Sequence, residues 1–74
     1  MTDIERVFLK AIENDERVRI IYETDKGITE RTVRPISMQD GEVYAYCYLR
    51  RNRRRFKLSS VLGAALETWG KNNG

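Results

Sequence analysis

A mainly β fold is predicted for this chain: a small, five-stranded, strongly bent sheet closing into a barrel, with one N-terminal amphipathic α-helix. Three observations point there. The apolar period is helical only up to about residue 14 and becomes two from Val18 onward. Turn chemistry recurs at short intervals, at Asp25-Lys26-Gly27, Gln39-Asp40-Gly41-Glu42 and Arg51-Asn52. The chain has 74 residues, one domain's worth, so the strands are short and closure removes exposed sheet edges. A chain of this size buries only about 60% of its unfolded surface.

The helix is expected over about residues 3–14. Ile4, Val7, Phe8, Ala11 and Ile12 form one stripe at i, i+3, i+4, i+7 and i+8. Thr2 followed by Glu5 has the form of a capping box, and Asp3 adds negative charge where the helix dipole favours it. The pattern stops near Asn14-Asp15-Glu16. In the first strand Val18, Ile20 and Tyr22 alternate with Arg19, Ile21 and Glu23. Gly27 supplies the positive φ of a tight reversal, and the second strand runs from about Ile28 to Val33. It is expected to finish near Pro35, which has no N–H for a ladder.

A third strand is expected over Val43–Arg50, a fourth over Arg53–Leu58, and a last one over Leu62–Glu67 after a turn at Ser59-Ser60. The barrel therefore occupies about residues 17–67 of a single domain spanning 1–68, and residues 69–74 form a flexible tail. In the third strand Val43, Ala45, Cys47 and Leu49 share the core face, while Tyr44, Tyr46 and Tyr48 share the other. A two- or four-residue loop about Arg51-Asn52 sets Leu49 opposite Arg54, Cys47 opposite Phe56 and Ala45 opposite Leu58. On the other face Tyr48 then meets Arg55, and Tyr46 meets Lys57. A three-residue loop would strand Phe56 and Leu58 in water.

Composition excludes several function classes. Mean hydropathy is −0.62 and 34% of residues are charged, and no apolar run approaches the roughly 20 residues a bilayer needs. The N-terminus lacks the basic-then-apolar form of a signal peptide. One cysteine permits no internal disulfide, and zero histidines remove the usual zinc, Ser-His-Asp and Cys-His arrangements. Cys47 reads as an inert core thiol. No carboxylate pair shares a strand face beside a nucleophile. The expectation is a cytoplasmic, cofactor-free, non-enzymatic module with no membrane partner.

The charge distribution is polar along the chain. Residues 1–42 carry seven basic against ten acidic residues, net −3, and residues 43–74 carry seven against one, net +6. Six of the basic residues fall between Arg50 and Lys57 with no acid among them. Such a block is a solvated hairpin, a surface contacting phosphate, or a dock for an acidic protein. Arg outnumbers Lys five to one in it, and the planar guanidinium fork suits phosphate and stacks on bases. The tyrosines are either ordinary strand formers with wet hydroxyls or stacking platforms. Interleaved, Tyr44, Tyr46 and Tyr48 alongside Arg53, Arg55 and Lys57 form a candidate surface for single-stranded nucleic acid or a nucleotide-like anion, with Arg51 of the loop as a further candidate. By parity Arg54 faces inward, so it lies at the barrel mouth or has a partner, because an unpaired buried guanidinium is costly.

These residues resemble the WYL domain, an SH3/Sm-like small barrel of bacterial regulators and some DNA helicases. The resemblance runs from about Arg17 to Val61. It rests on Glu30-Arg31-Thr32-Val33-Arg34-Pro35, on Ala45-Tyr46-Cys47-Tyr48-Leu49-Arg50, and on Arg54-Arg55-Phe56-Lys57-Leu58. The naming Trp-Tyr-Leu triplet is absent: Gly41-Glu42-Val43 or, shifted by two, Val43-Tyr44-Ala45 stands there. Ser59-Ser60-Val61 stands where the family has Asp-Arg-Ile.

The resemblance implies a sensing or binding module for nucleic acid or nucleotide-type ligands, single-stranded DNA among them, and not a catalyst. It implies a regulatory or accessory role in DNA transactions, with a larger DNA-acting protein as a further partner; a second copy is a partner under the self-association alternative. Arg31 and Arg54 match the family's recurrent arginines, and Tyr46 and Lys57 its aromatic and basic positions; Arg51, Arg53 and Arg55 are this chain's additions. The one helix spends its apolar face on the sheet and carries mixed charge outside, which disfavours sequence-specific duplex reading. The alternative is a protein-interaction or self-association module whose basic face docks an acidic partner.

Overall fold

The computed structural model describes residues 2–67, so the expected tail at 69–74 lies outside the described residues. The architecture is mainly β: a helix, α1 (Asp3–Asn14), followed by five antiparallel strands. These are β1 (Arg17–Thr24), β2 (Gly27–Gln39), β3 (Glu42–Cys47), β4 (Asn52–Lys57) and β5 (Val61–Glu67). A 3-10 turn over Leu58–Ser60 links the last two, and the hydrogen-bonded order is β4-β3-β2-β1-β5.

The capping box at the start of α1 is complete. The Thr2 hydroxyl accepts from the Glu5 N–H at 3.1 Å, and the Thr2 N–H donates to Glu5 Oε1 at 2.9 Å. Asp15 ends the helix in the left-handed region (φ 56°), its N–H shared by the carbonyls of Ala11 and Ile12. Phe8 and Ala11 are fully buried, with Ile4 and Val7 packed beside them. They meet Val18 and Ile20 of β1, Val33 of β2, Val43, Ala45 and Cys47 of β3, Phe56 of β4 and Val61 of β5 in one core. Cys47 is a free, buried thiol.

Curvature is the property that makes this sheet a container. Tyr22 on β1 and β4 are three strand spacings apart, about 14 Å across a flat sheet. Yet the Tyr22 ring meets Phe56 edge-on at 5.1 Å, and its hydroxyl accepts from the Lys57 N–H at 3.2 Å. The sheet curls until its corners touch around the core.

Two strand boundaries differ from expectation. β2 does not stop near Pro35 but continues to Gln39. Continuing the β1–β2 register sets Arg17, the first residue of β1, against Arg34, so beyond that point β2 is paired with β3 alone. Pro35 is buried opposite Ala45, and a bulge follows before Ser37. An imide nitrogen is tolerated where a strand is paired on one side and bulged. The strand β3 is correspondingly shorter than Val43–Arg50 and ends at Cys47.

The β3–β4 register is also shifted, each β3 residue meeting a partner four residues earlier on β4 than expected. Cys47 pairs with Asn52, Ala45 with Arg54, and Val43 with Phe56, in place of the Leu49–Arg54, Cys47–Phe56 and Ala45–Leu58 pairs expected. The loop is Tyr48–Arg51, closed by the Arg51 N–H on the Cys47 carbonyl at 2.8 Å with Arg51 at φ 57°. Leu49, expected on the core face, is 67% exposed at the tip. A shift of four, being even, preserves parity, so the faces stand as expected although the pairs do not.

Candidate functional site

The side of the sheet away from the core carries the candidate residues in rows. Tyr44 pairs with Arg55, Tyr46 with Arg53, and Glu42 with Lys57. The expected pairs Tyr48–Arg55 and Tyr46–Lys57 are replaced by these. Directly opposite residues share one face, so two tyrosines, two arginines and a lysine occupy a single surface. On β2, Arg34 lies opposite Tyr46 and Ser37 opposite Tyr44, which extends the rows by one strand.

Tyr48 has left the ladder but stays beside it. Its ring sits against Tyr46 at 5.1 Å in a T-shaped contact, and the Arg17 guanidinium lies 5.9 Å from its centroid. The Tyr48 N–H donates to the Thr32 carbonyl at 3.3 Å. These contacts hold both rings as a braced aromatic step, 38% of Tyr48 remaining open to solvent.

The other predicted residues are placed elsewhere. Arg51 is in the hairpin tip. Arg54 is across from Ala45 on the core-facing side of β4 but is exposed, at the rim of the curl. Arg31 pairs with Ile20, which puts it on the core-facing side of β2, half-buried, with its Nε donating to Thr29 Oγ1 at 3.3 Å. The structure thus brings together Tyr44, Tyr46, Tyr48, Arg53, Arg55 and Lys57, and separates Arg31, Arg51 and Arg54 from them.

Electrostatics sharpen the contrast. Among the described residues no carboxylate forms an ion pair with Arg50, Arg51, Arg53, Arg54, Arg55 or Lys57, whereas Arg19 is shared by Glu30 (3.4 Å) and Glu67 (2.9 Å) and Arg34 reaches Asp15 at 3.6 Å. Arg17 and Arg34 are cations of this face that sequence reasoning missed; their parity on β1 and β2 was the available signal. Beside Tyr44 and Arg55 a depression of about 410 Å³ opens, lined also by Ser37, Gln39, Asp40 and Glu42. Among the described residues no cluster of side chains suits a metal ion, and no helix is long and apolar enough to cross a membrane.

Comparison with known proteins adds a family and a fold. A family model described as the WYL domain matches residues 3–66. No curated protein matches. Among solved structures the chain is similar to Proteasome accessory factor B/C (PafBC) of Arthrobacter aurescens, with a TM-score of 0.74 and 22% sequence identity. That likeness covers 95% of this chain and 13% of the other, so the chain corresponds to a small part of that protein's length.

Proposed function

The chain belongs to the WYL domain family, and from that premise we propose that it is a binding and sensing module for single-stranded nucleic acid or a nucleotide-like anion. The ligand lies along Tyr44, Tyr46, Tyr48, Arg53, Arg55 and Lys57. The role is regulatory or accessory to DNA transactions, within or beside a larger DNA-acting protein, and it involves no catalysis. One observation carries the reading: the Tyr44–Arg55 and Tyr46–Arg53 pairs alternate ring and cation across two strands, and among the described residues no carboxylate forms an ion pair with Arg53 or Arg55.

Stacking on aromatic side chains is worth about 1–3 kcal/mol per base, and the cations hold the phosphates between them. Bases have to be unpaired to stack in this way, which selects single strands over duplex. Arg51 and Arg54 belong to the hairpin tip and the rim, where they meet a strand only as it wraps around the β4 edge, and Arg31, half-buried on the core-facing side of β2, lies off that path.

Fluorescence anisotropy with labelled oligonucleotides tests this directly. Binding is expected at low salt, weakening with a log–log slope of about −0.7 per phosphate contacted. Indifference to single strands at low salt, together with capture of an acidic peptide, would transfer the face to a protein partner.

A further inference from the structure

The basic face ends in a feature that phosphate binding does not explain. At Tyr44 and Arg55 the surface sinks into the 410 Å³ depression whose other walls are Ser37, Gln39, Asp40 and Glu42, a volume within the about 300–1,000 Å³ range of small-ligand sites. Two carboxylates beside the last cations of the row repel a phosphate. They attract N–H donors instead, because an ionised carboxylate only accepts.

Building on the proposed function, we infer that this depression reads a guanine base, stacked on Tyr44 with its N1–H and N2–H donated to the carboxylate of Glu42. Glu42 and Tyr44 are two apart on β3 and so share a face, roughly 7 Å from one to the next, about the reach from the middle of a stacked base to a group at its edge. Glu42 is half-buried, which limits competition from water, and Asp40 is an exposed turn residue beside it.

The chemistry separates the bases. Guanine alone presents two adjacent N–H donors to the two oxygens of one carboxylate. Adenine and cytosine offer an amino group next to a ring acceptor, which meets the second oxygen lone pair to lone pair. Thymine offers one N–H between two carbonyls. Guanine's remaining acceptors, O6 and N7, suit a guanidinium bidentately, and Arg55 lines the same depression.

The test compares an all-thymine strand with strands carrying one central guanine, adenine, cytosine or hypoxanthine, with GMP and AMP as competitors. The guanine strand is expected to bind at least about fivefold more tightly than the all-thymine strand. Hypoxanthine, lacking the N2 amino group, falls back toward thymine. Glu42→Gln, its fold checked by circular dichroism, loses the preference yet binds the all-thymine strand at least as well as wild type, since a negative charge has left the phosphate path.

Displacement by GMP but not AMP identifies a free nucleotide as sufficient; preference only within a strand identifies the strand. Equal binding of guanine and thymine strands, or a preference that survives in Glu42→Gln, overturns the pocket while leaving the Tyr/Arg face standing. Binding of GMP but of no strand keeps the pocket and overturns the single-strand half of the proposed function, leaving its nucleotide-like half. No binding of either removes both.

Discussion

The phenolic oxygen of Tyr22 accepts a hydrogen bond from the backbone nitrogen of Lys57, 3.2 Å away and three strands distant in the sheet. The bond holds the edge strand that carries Arg53, Arg55 and Lys57 over the core, and it fixes the curl from which the cationic face projects.

Tyr22→Phe therefore removes one hydrogen bond and keeps the edge-on ring contact with Phe56. Stability should fall by about 0.5–1.5 kcal/mol in urea unfolding. Amide hydrogen exchange should rise first at Lys57 and its β4 neighbours. A uniform rise across all strands would show that the clasp is not local.

The two faces of β4 give a matched pair of variants. Arg55→Ala removes a cation in register with Tyr44, whereas Arg54→Ala removes one across from Ala45 on the opposite side. Anisotropy titrations should show Arg55→Ala weakening strand binding several-fold and lowering the salt slope by about one phosphate. Arg54→Ala should have the smaller effect. The reverse order would move the ligand to the core-facing rim.

Tyr46→Ala is expected to cost about 1–3 kcal/mol of strand binding. It also removes the ring that braces Tyr48, so Tyr48→Ala in the Tyr46→Ala background should add less than it does alone. Full additivity in that double-mutant cycle would mean the two rings act on separate bases.

The helix cap predicts a pH dependence. The Thr2 N–H bound to its carboxylate holds Glu5 below the ordinary carboxylate pKa, desolvation opposing it and the Thr2 hydroxyl pulling the same way. A folded-state pKa below the unfolded one means that the stabilisation is present above the unfolded value, near 4.3, and is lost as pH falls through the lowered one. Thermal melts should show Glu5→Gln flattening stability against pH in that acidic window. Thr2→Ala should cost about 0.5–2 kcal/mol at neutral pH.

Much of the fold was legible because its signals are local. The cap at Thr2, the stripe from Ile4 to Ile12 and the alternation from Val18 to Tyr22 each specify an element within a few residues. The two faces of β3 and β4 were legible for the same reason: parity survives an even shift, here of four residues. The register itself was not. Leu49 continues the apolar alternation into the loop, and Arg51 takes a left-handed φ without the glycine or asparagine that usually announces one. Pro35 misled because its tolerance depends on where β1 begins, a tertiary fact. The depression beside Tyr44 draws its lining from three strands and a bulge, and no stretch of sequence contains it.

Strand β4 closes the hydrogen-bonded order, so its outer margin offers backbone groups to any passing strand, the usual route into amyloid-like stacking. Arg53, Arg54 and Arg55 stand along that margin, and a second molecule approaching it must bring the same three charges into contact. Colloidal dispersion of the protein thus rests on the groups assigned to its ligand. Adding a neutralising polyanion such as polyphosphate near charge equivalence should produce turbidity, and excess polyanion should clear it again.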